Sequence, residues 1–259
     1  LRSPGSSLKP FAYALALQRN VLYASEGLRD DPLDYGLYRP QNMDGGYRGI
    51  VTATAALQQS LNIPAMTVLE RLGVNRFCDQ LRGLGISSLF RPDPEYGIGL
   101  ILGNCEVSLW ELSGAYCTLA AAGGRQTLHW TPRVSLEGTA ETRDVFTRGT
   151  TLAMYRMMEQ PLPGQLELAG KAKVTNPLRA CWKTAPPRTI GMPGPWSSTM
   201  RWWWVYGWGE TMVLGFRTCP DTQTRSPWRR GSSGTCFLLN IGNGLNSRVH
   251  GRRWRCAPS

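Results

Sequence analysis

Apolar positions gather along the first two thirds of the chain in stretches of helical length, and then the pattern stops. Residues 11–17 form an Ala- and Leu-rich apolar run behind Pro10, a residue suited to the first turn of a helix. Residues 51–59 are Ala-rich and predict a second helix. Residues 64–71 predict a third, with Pro64 in its first turn and Gly73 near its end, and residues 77–84 a fourth. A long apolar helix is predicted over 107–122, stopped by Gly123-Gly124, and another over 150–159. Short strands are predicted over 130–136 and 180–184, whereas residues 28–49 read as loop around Asp44-Gly45-Gly46. Helices come in runs instead of alternating with strands, which predicts an α+β fold and not a parallel doubly wound sheet. From residue 185 the periodicity is gone. Pro, Gly and Ser fill 185–200, Arg201-Trp202-Trp203-Trp204 follows, and the remainder has neither a helical nor a strand period.

Composition sharpens that break. The chain has 259 residues, 42% hydrophobic, enough for a sizeable core. Its net charge is +11, but residues 185–259 hold ten Arg, no Lys and two acids, a net +8, together with seven of the ten Trp. The first 184 residues carry only +3, so a uniformly basic nucleic-acid binder is disfavoured. No apolar run reaches the roughly 18 residues of a bilayer-spanning helix, so no transmembrane segment is expected. Leu1-Arg2-Ser3 reads as the start of a fragment. The seven cysteines show no C-x-x-C spacing; Cys78, Cys105, Cys117 and Cys181 are expected to be core thiols, and an odd count argues against a closed disulfide framework. His129 and His250 are too few for a metal site, and no metal or cofactor is expected.

Three short motifs stand in chain order. Ser6-Ser7-Leu8-Lys9 is an S-x-x-K, which on a helix puts Ser6 and Lys9 on one face, where a neutral amine accepts the hydroxyl proton. Ser60-Leu61-Asn62 is an S-x-N on a turn between two predicted helices, suited to a proton relay and to holding an amide substrate. Lys183-Thr184-Ala185 stands where a K-T-G would complete the set found in serine β-lactamases and penicillin-binding proteins. Each is weak alone, since Ser and Asn are ordinary caps and turn residues.

The flanks are more specific. They are Arg2-Ser3-Pro4-Gly5 through Pro10-Phe11; Tyr38-Arg39-Pro40-Gln41-Asn42-Met43-Asp44-Gly45; Ala56-Leu57-Gln58-Gln59 through Ile63-Pro64-Ala65; segments 96–103 and 106–116; and Ala180-Cys181-Trp182. In that order the chain resembles the transpeptidase domain of bifunctional class A penicillin-binding proteins, most closely their 1C branch. The resemblance implies the serine β-lactamase/penicillin-binding-protein fold, with a helical subdomain and a central antiparallel sheet that is incomplete here. It implies Ser6 as the acylated nucleophile, Lys9 as its base, Ser60 and Asn62 as relay and substrate contact, and Lys183 and Thr184 as binders of the substrate carboxylate. The reaction implied is serine acyl transfer that cross-links peptidoglycan stem peptides, with β-lactams acylating the same serine. The parent family is anchored in the inner membrane with this domain in the periplasm.

The resemblance breaks at Ala185, where the family continues K-T-G-T-S and later a Val-rich strand. Reading the codons from their third base restores much of it. Residues 201–209 then become Val/Leu/Met, Val, Val, Gly, Val/Leu/Ile, Trp/Arg, Val/Leu/Met, Gly, because Trp has a single codon; Met192-Pro193 yields a forced Ala. The expectation is therefore a partial transpeptidase domain over 1–184 and an out-of-frame, poorly ordered segment over 185–259. Such a chain is expected to be impaired, either as a residual acyl-enzyme former or as an inactive fragment. A competing reading makes the Arg/Trp tail a binding module for nucleic acid or an anionic membrane. Its lack of period and of lysine weighs against that, and no nucleic-acid partner is expected. A β-lactamase would need a base for the hydrolytic water, and no Glu is evident in that role.

Overall fold

The computed structural model describes residues 1–33, 39–125, 144–161, 179–181 and 183, and the backbone of strands within 199–255. The strand expected over 130–136 lies outside the described residues, as do Tyr38, His129, Trp182 and Thr184. A 3-10 turn, Gly5–Leu8, runs directly into α1 (Lys9–Gln18). Helix α1 is apolar all round and every residue from 9 to 16 is buried, so it forms the axis of the core. Next come two short strands, β1 (Gly27–Asp30) and β2 (Gly49–Thr52), paired antiparallel with Leu28 opposite Val51. They take residues 28–30 and 49 out of the loop expected over 28–49, because strands of four residues are too short to show alternation.

The helices follow the apolar pattern closely. Thr52 caps α2 (Ala53–Gln58) by accepting from Ala55 N–H. Helix α3 (Asn62–Leu72) ends at Gly73, whose φ of +82° lets the chain turn into α4 (Val74–Gly83). After the short α5 (Asp93–Tyr96) and a 3-10 turn, Ile98–Leu102, comes α6 (Leu109–Ala120). Thr147 caps α7 (Arg148–Met158) through Thr150 N–H. Helices α3, α4 and α7 pack around α1. Phe11, Leu15, Leu57, Met66, Phe77 and Phe146 sit in the resulting core at 0–2% exposure. Cys78, Cys105, Cys117 and Cys181 are buried as free thiols, as expected of core cysteines. Burial pushes each of them up to about 12.

Helix α6 begins with a capping box in which Ser108 Oγ accepts from Glu111 N–H and Glu111 reaches back to Ser108 N–H. The same carboxylate accepts from the N–H and Oγ of both Ser87 and Ser88, tying the 87–88 loop to the helix start. Burial pushes Glu111 up, but the hydrogen bonds from Ser108 and Ser87 outweigh it and hold the carboxyl at about 2. An unfolded Glu binds its proton near pH 4.5, so the stability this site contributes is full above that and lost as pH falls towards 2. Glu111→Gln is expected to destabilise the chain by about 2 kcal/mol at pH 7. It should also flatten the acid limb, which thermal unfolding between pH 2 and 5 would show; an unchanged limb would refute the role.

Strands β3 (Glu159–Pro161) and β4 (Arg179–Cys181) pair antiparallel. Beyond residue 184, where the sequence shows neither a helical nor a strand period, the backbone forms regular strands. Strands β5 (Thr199–Tyr206), β6 (Thr211–Cys219), β7 (Ser233–Ile241) and β8 (Ser247–Arg255) form a four-stranded antiparallel meander in sequence order. The Trp-Trp-Trp-Val-Tyr and Cys-Phe-Leu-Leu stretches are strong β-formers even without apolar alternation, which is why a search for period misses them. The architecture is α+β, with the antiparallel sheet incomplete.

Candidate active site

Ser6 lies on the 3-10 turn, 8% exposed. The turn is held from within, where Ser7 Oγ donates to Pro4 O at 2.6 Å and the Lys9 N–H donates to Ser6 O. Because the turn passes without interruption into α1, Ser6 and Lys9 stand three residues apart on one helical face. Three contacts pin it from outside. Arg2 and Val107 exchange backbone hydrogen bonds at 2.9 Å. Tyr116 of α6 donates to Ser7 O at 2.7 Å, its ring 4.8 Å from that of Phe11. Ser3 Oγ donates to Gly103 O at 2.7 Å. Gly103 has φ +91°, and a Cβ there would meet Gly5 Cα at 2.6 Å and Gly5 N closer still. Only glycine permits that approach.

Lys9, fully buried, extends from the first turn of α1 to the turn between α2 and α3. Its Nζ donates to Ser60 O at 2.7 Å, Leu61 O at 3.0 Å and Asn62 Oδ1 at 2.8 Å. The first two predicted motifs therefore meet in space across 51 to 53 residues of chain. Ser60 adopts φ +60°, an uncommon conformation for a residue with a side chain. Its buried Oγ has no hydrogen-bond partner among the described residues. Asn62 is held on two further sides, its N–H donating to Asn42 Oδ1 at 2.8 Å and its Nδ2 to Gln41 O at 2.6 Å. Asn42 in turn donates through Nδ2 to both oxygens of buried Asp30 at 2.9 Å and to Gly46 O at 2.8 Å.

Of the third motif, Lys183 is described just past β4 and is 2% exposed; burial lowers its ammonium to about 7. Thr184 lies outside the described residues. Asp30, which holds Asn42, is not singled out by the motif spacing, and Asn42, Gly103 and Tyr116 were visible only as members of quoted segments. A serine on a pinned turn, an amine one helical turn away and a second serine with a buried, unpartnered hydroxyl among the described residues form an arrangement suited to nucleophilic acyl transfer.

Residues 2–171 match the family model described as the penicillin binding protein transpeptidase domain. The chain is 36% identical over 166 residues to penicillin-binding protein 1C of Escherichia coli (strain K12), covering 63% of this chain and 21% of that protein. It is 34% identical over 170 residues to penicillin-binding protein 1F of Bacillus subtilis (strain 168), covering 62% and 23%. The matched stretch thus spans about a fifth of the length of these curated relatives. Among solved structures, the penicillin-binding protein PonA1 from Mycobacterium tuberculosis superposes with a TM-score of 0.60 at 21% identity, covering 79% of this chain and 56% of that one. PonA1 in complex with penicillin V superposes at 0.59 and 21%, covering 83% and 57%. Residues 1–184 alone cannot supply that coverage, so part of the backbone beyond them shares the fold.

Proposed function

Because the chain belongs to the penicillin-binding protein transpeptidase family, we propose that it is a D,D-transpeptidase domain that still forms an acyl-enzyme but transfers the acyl group poorly. Ser6 Oγ attacks the carbonyl of a D-Ala-D-Ala stem peptide, or of a β-lactam ring. Lys9, as a neutral amine, takes the hydroxyl proton while keeping two of its hydrogen bonds to the S-x-N turn. Ser60 and Asn62 pass the proton to the leaving group and hold the substrate amide. The Ser6 N–H and one backbone N–H from the segment after Lys183 hold the oxyanion. Lys183 and Thr184 take the substrate carboxylate. The parent works in the periplasm, anchored to the inner membrane.

The observation that carries this reading is the seating of the Lys9 amine on the S-x-N turn by three hydrogen bonds. Impairment follows from residue 185 onward, where the family's Gly-Thr-Ser and Val-rich wall are replaced. We attribute the replacement to a one-base shift near codon 184. The gene sequence there decides it, and an intact frame with a cellular peptide spanning 202–204 would overturn it.

Incubation with a fluorescent penicillin and mass spectrometry tests the main proposal. Trypsin cuts after Arg2 and Arg19 and spares Lys9-Pro10, so one peptide, 3–19, carries the site. A slow adduct on Ser6 is expected, with no cross-linked product from a stem-peptide donor. Its rate should fall as pH rises through about 7, because Lys183 loses the charge that binds the penicillin carboxylate. No adduct, or one on Ser3 or Ser7, would refute the assignment.

A further inference from the structure

We infer that Asp30 is a positioning residue for the reaction, acting through Asn42 on Asn62 and Lys9. The inference rests on the roles of Ser6 and Lys9 given above and adds a residue that touches neither substrate nor nucleophile.

Asp30 closes β1 and is fully buried. Its carboxylate acts only as an acceptor, from Asn42 Nδ2 on both oxygens and from Arg48 N–H at 3.0 Å. A carboxamide has one donor end and one acceptor end. With Nδ2 turned to Asp30 and Gly46 O, the oxygen of Asn42 must face the other way, towards Asn62 N–H. That N–H belongs to the first residue of α3. The preceding residue, Leu61, has no side-chain acceptor to cap the helix. Asn42 supplies the missing cap from twenty residues away.

The adjoining carbonyl of Gln41 fixes the side chain of the same residue. Because Asn62 Nδ2 is committed there, Asn62 Oδ1 faces Lys9. One two-residue segment thus clamps both the backbone and the amide of Asn62, and Asp30 sets the orientation of that segment. Other groups around Asp30 do not replace it. The Arg48 guanidinium is taken up by Asp44, Gln59 and Gly46 O. Tyr13, whose buried hydroxyl has no hydrogen-bond partner among the described residues, is pushed upward by burial and by the Asp30 charge.

Asp30→Asn tests this in the full chain. An amide at 30 offers Asn42 either a donor or an acceptor, so Asn42 is free to turn its Nδ2 against Asn62 N–H. Amide hydrogen exchange should quicken about tenfold or more at Asn62 while other α1 and α3 amides keep their protection. Acylation of Ser6 by the fluorescent penicillin should slow about 10- to 100-fold. Asn42→Ala removes the acceptor of Asn62 N–H outright and should give both losses, and the double variant D30N/N42A should lose no more than N42A, because Asp30 acts only through Asn42. Wild-type exchange and rate in D30N would overturn the inference. So would exchange that quickens uniformly across α1 and α3, or a double variant that loses more than N42A, since either leaves Asp30 acting other than through Asn42. Absence of a Ser6 adduct in the wild-type chain would refute the Ser6 and Lys9 roles; the exchange arm would still decide whether Asp30 sets Asn62.

Discussion

Replacing Lys9 by methionine is expected to slow acylation of Ser6 by about 1,000-fold, the loss of a positioned base. It should also lower stability by about 2 kcal/mol. Methionine has a similar unbranched stem and fills the same buried channel, but it has no N–H. Ser60 O, Leu61 O and Asn62 Oδ1 then lose a donor together. Each orphaned acceptor costs about 1–3 kcal/mol, which outweighs what is recovered by no longer desolvating an amine. Denaturant unfolding reads the stability, and the mass of peptide 3–19 against time reads the rate. A Lys9→Met chain acylated within tenfold of wild type would show that the proton leaves Ser6 by another route.

Gly103→Ala is expected to cost about 3 kcal/mol and to slow acylation about 100-fold, although Gly103 lies almost a hundred residues from the nucleophile. The new methyl would have to displace the Gly5 backbone, since Gly5 Cα lies 2.6 Å from its position and Ser3 Oγ 2.7 Å. A clash with backbone moves the turn that carries Ser6, and a shift on the order of 1 Å at a reacting atom costs about 100-fold. Gly73→Ala provides the contrast. Gly73 also has positive φ, at +82°, but nothing lies within 4 Å of an added Cβ. It should lose about 1–2 kcal/mol from backbone strain and keep its acylation rate. Equal acylation in the two variants would mean that the Gly103 approach does not hold the turn.

These two effects mark where sequence reading works and where it stops. Helices α1 and α6 were legible as long apolar runs and α3 and α4 as apolar stretches of helical length, each with a Pro or Gly in or just beyond an end. Ser6, Lys9, Ser60 and Asn62 were legible as spaced motifs, although their meeting through Lys9 Nζ depends on how α1 lies against α3. Strands β1 and β2, at four residues each, are too short to show alternation. Asp30 sits among Arg29, Asp31 and Pro32 and reads as one polar loop residue among several. Its meaning comes from partners 12 and 18 residues on. Gly103 needs Gly5 beside it, and no local pattern carries that information.

The four buried thiols also make the chain a reporter of its own breathing. Cys78 lies in α4, Cys105 before α6, Cys117 within α6 and Cys181 in β4, each silent to alkylating reagents while its surroundings stay closed. Once Cys219, Cys236 and Cys256 are changed to serine, the alkylation rate at each remaining position becomes a clock for the opening of one element. The domain can then be timed element by element, and the order in which the clocks run tells which part lets go first.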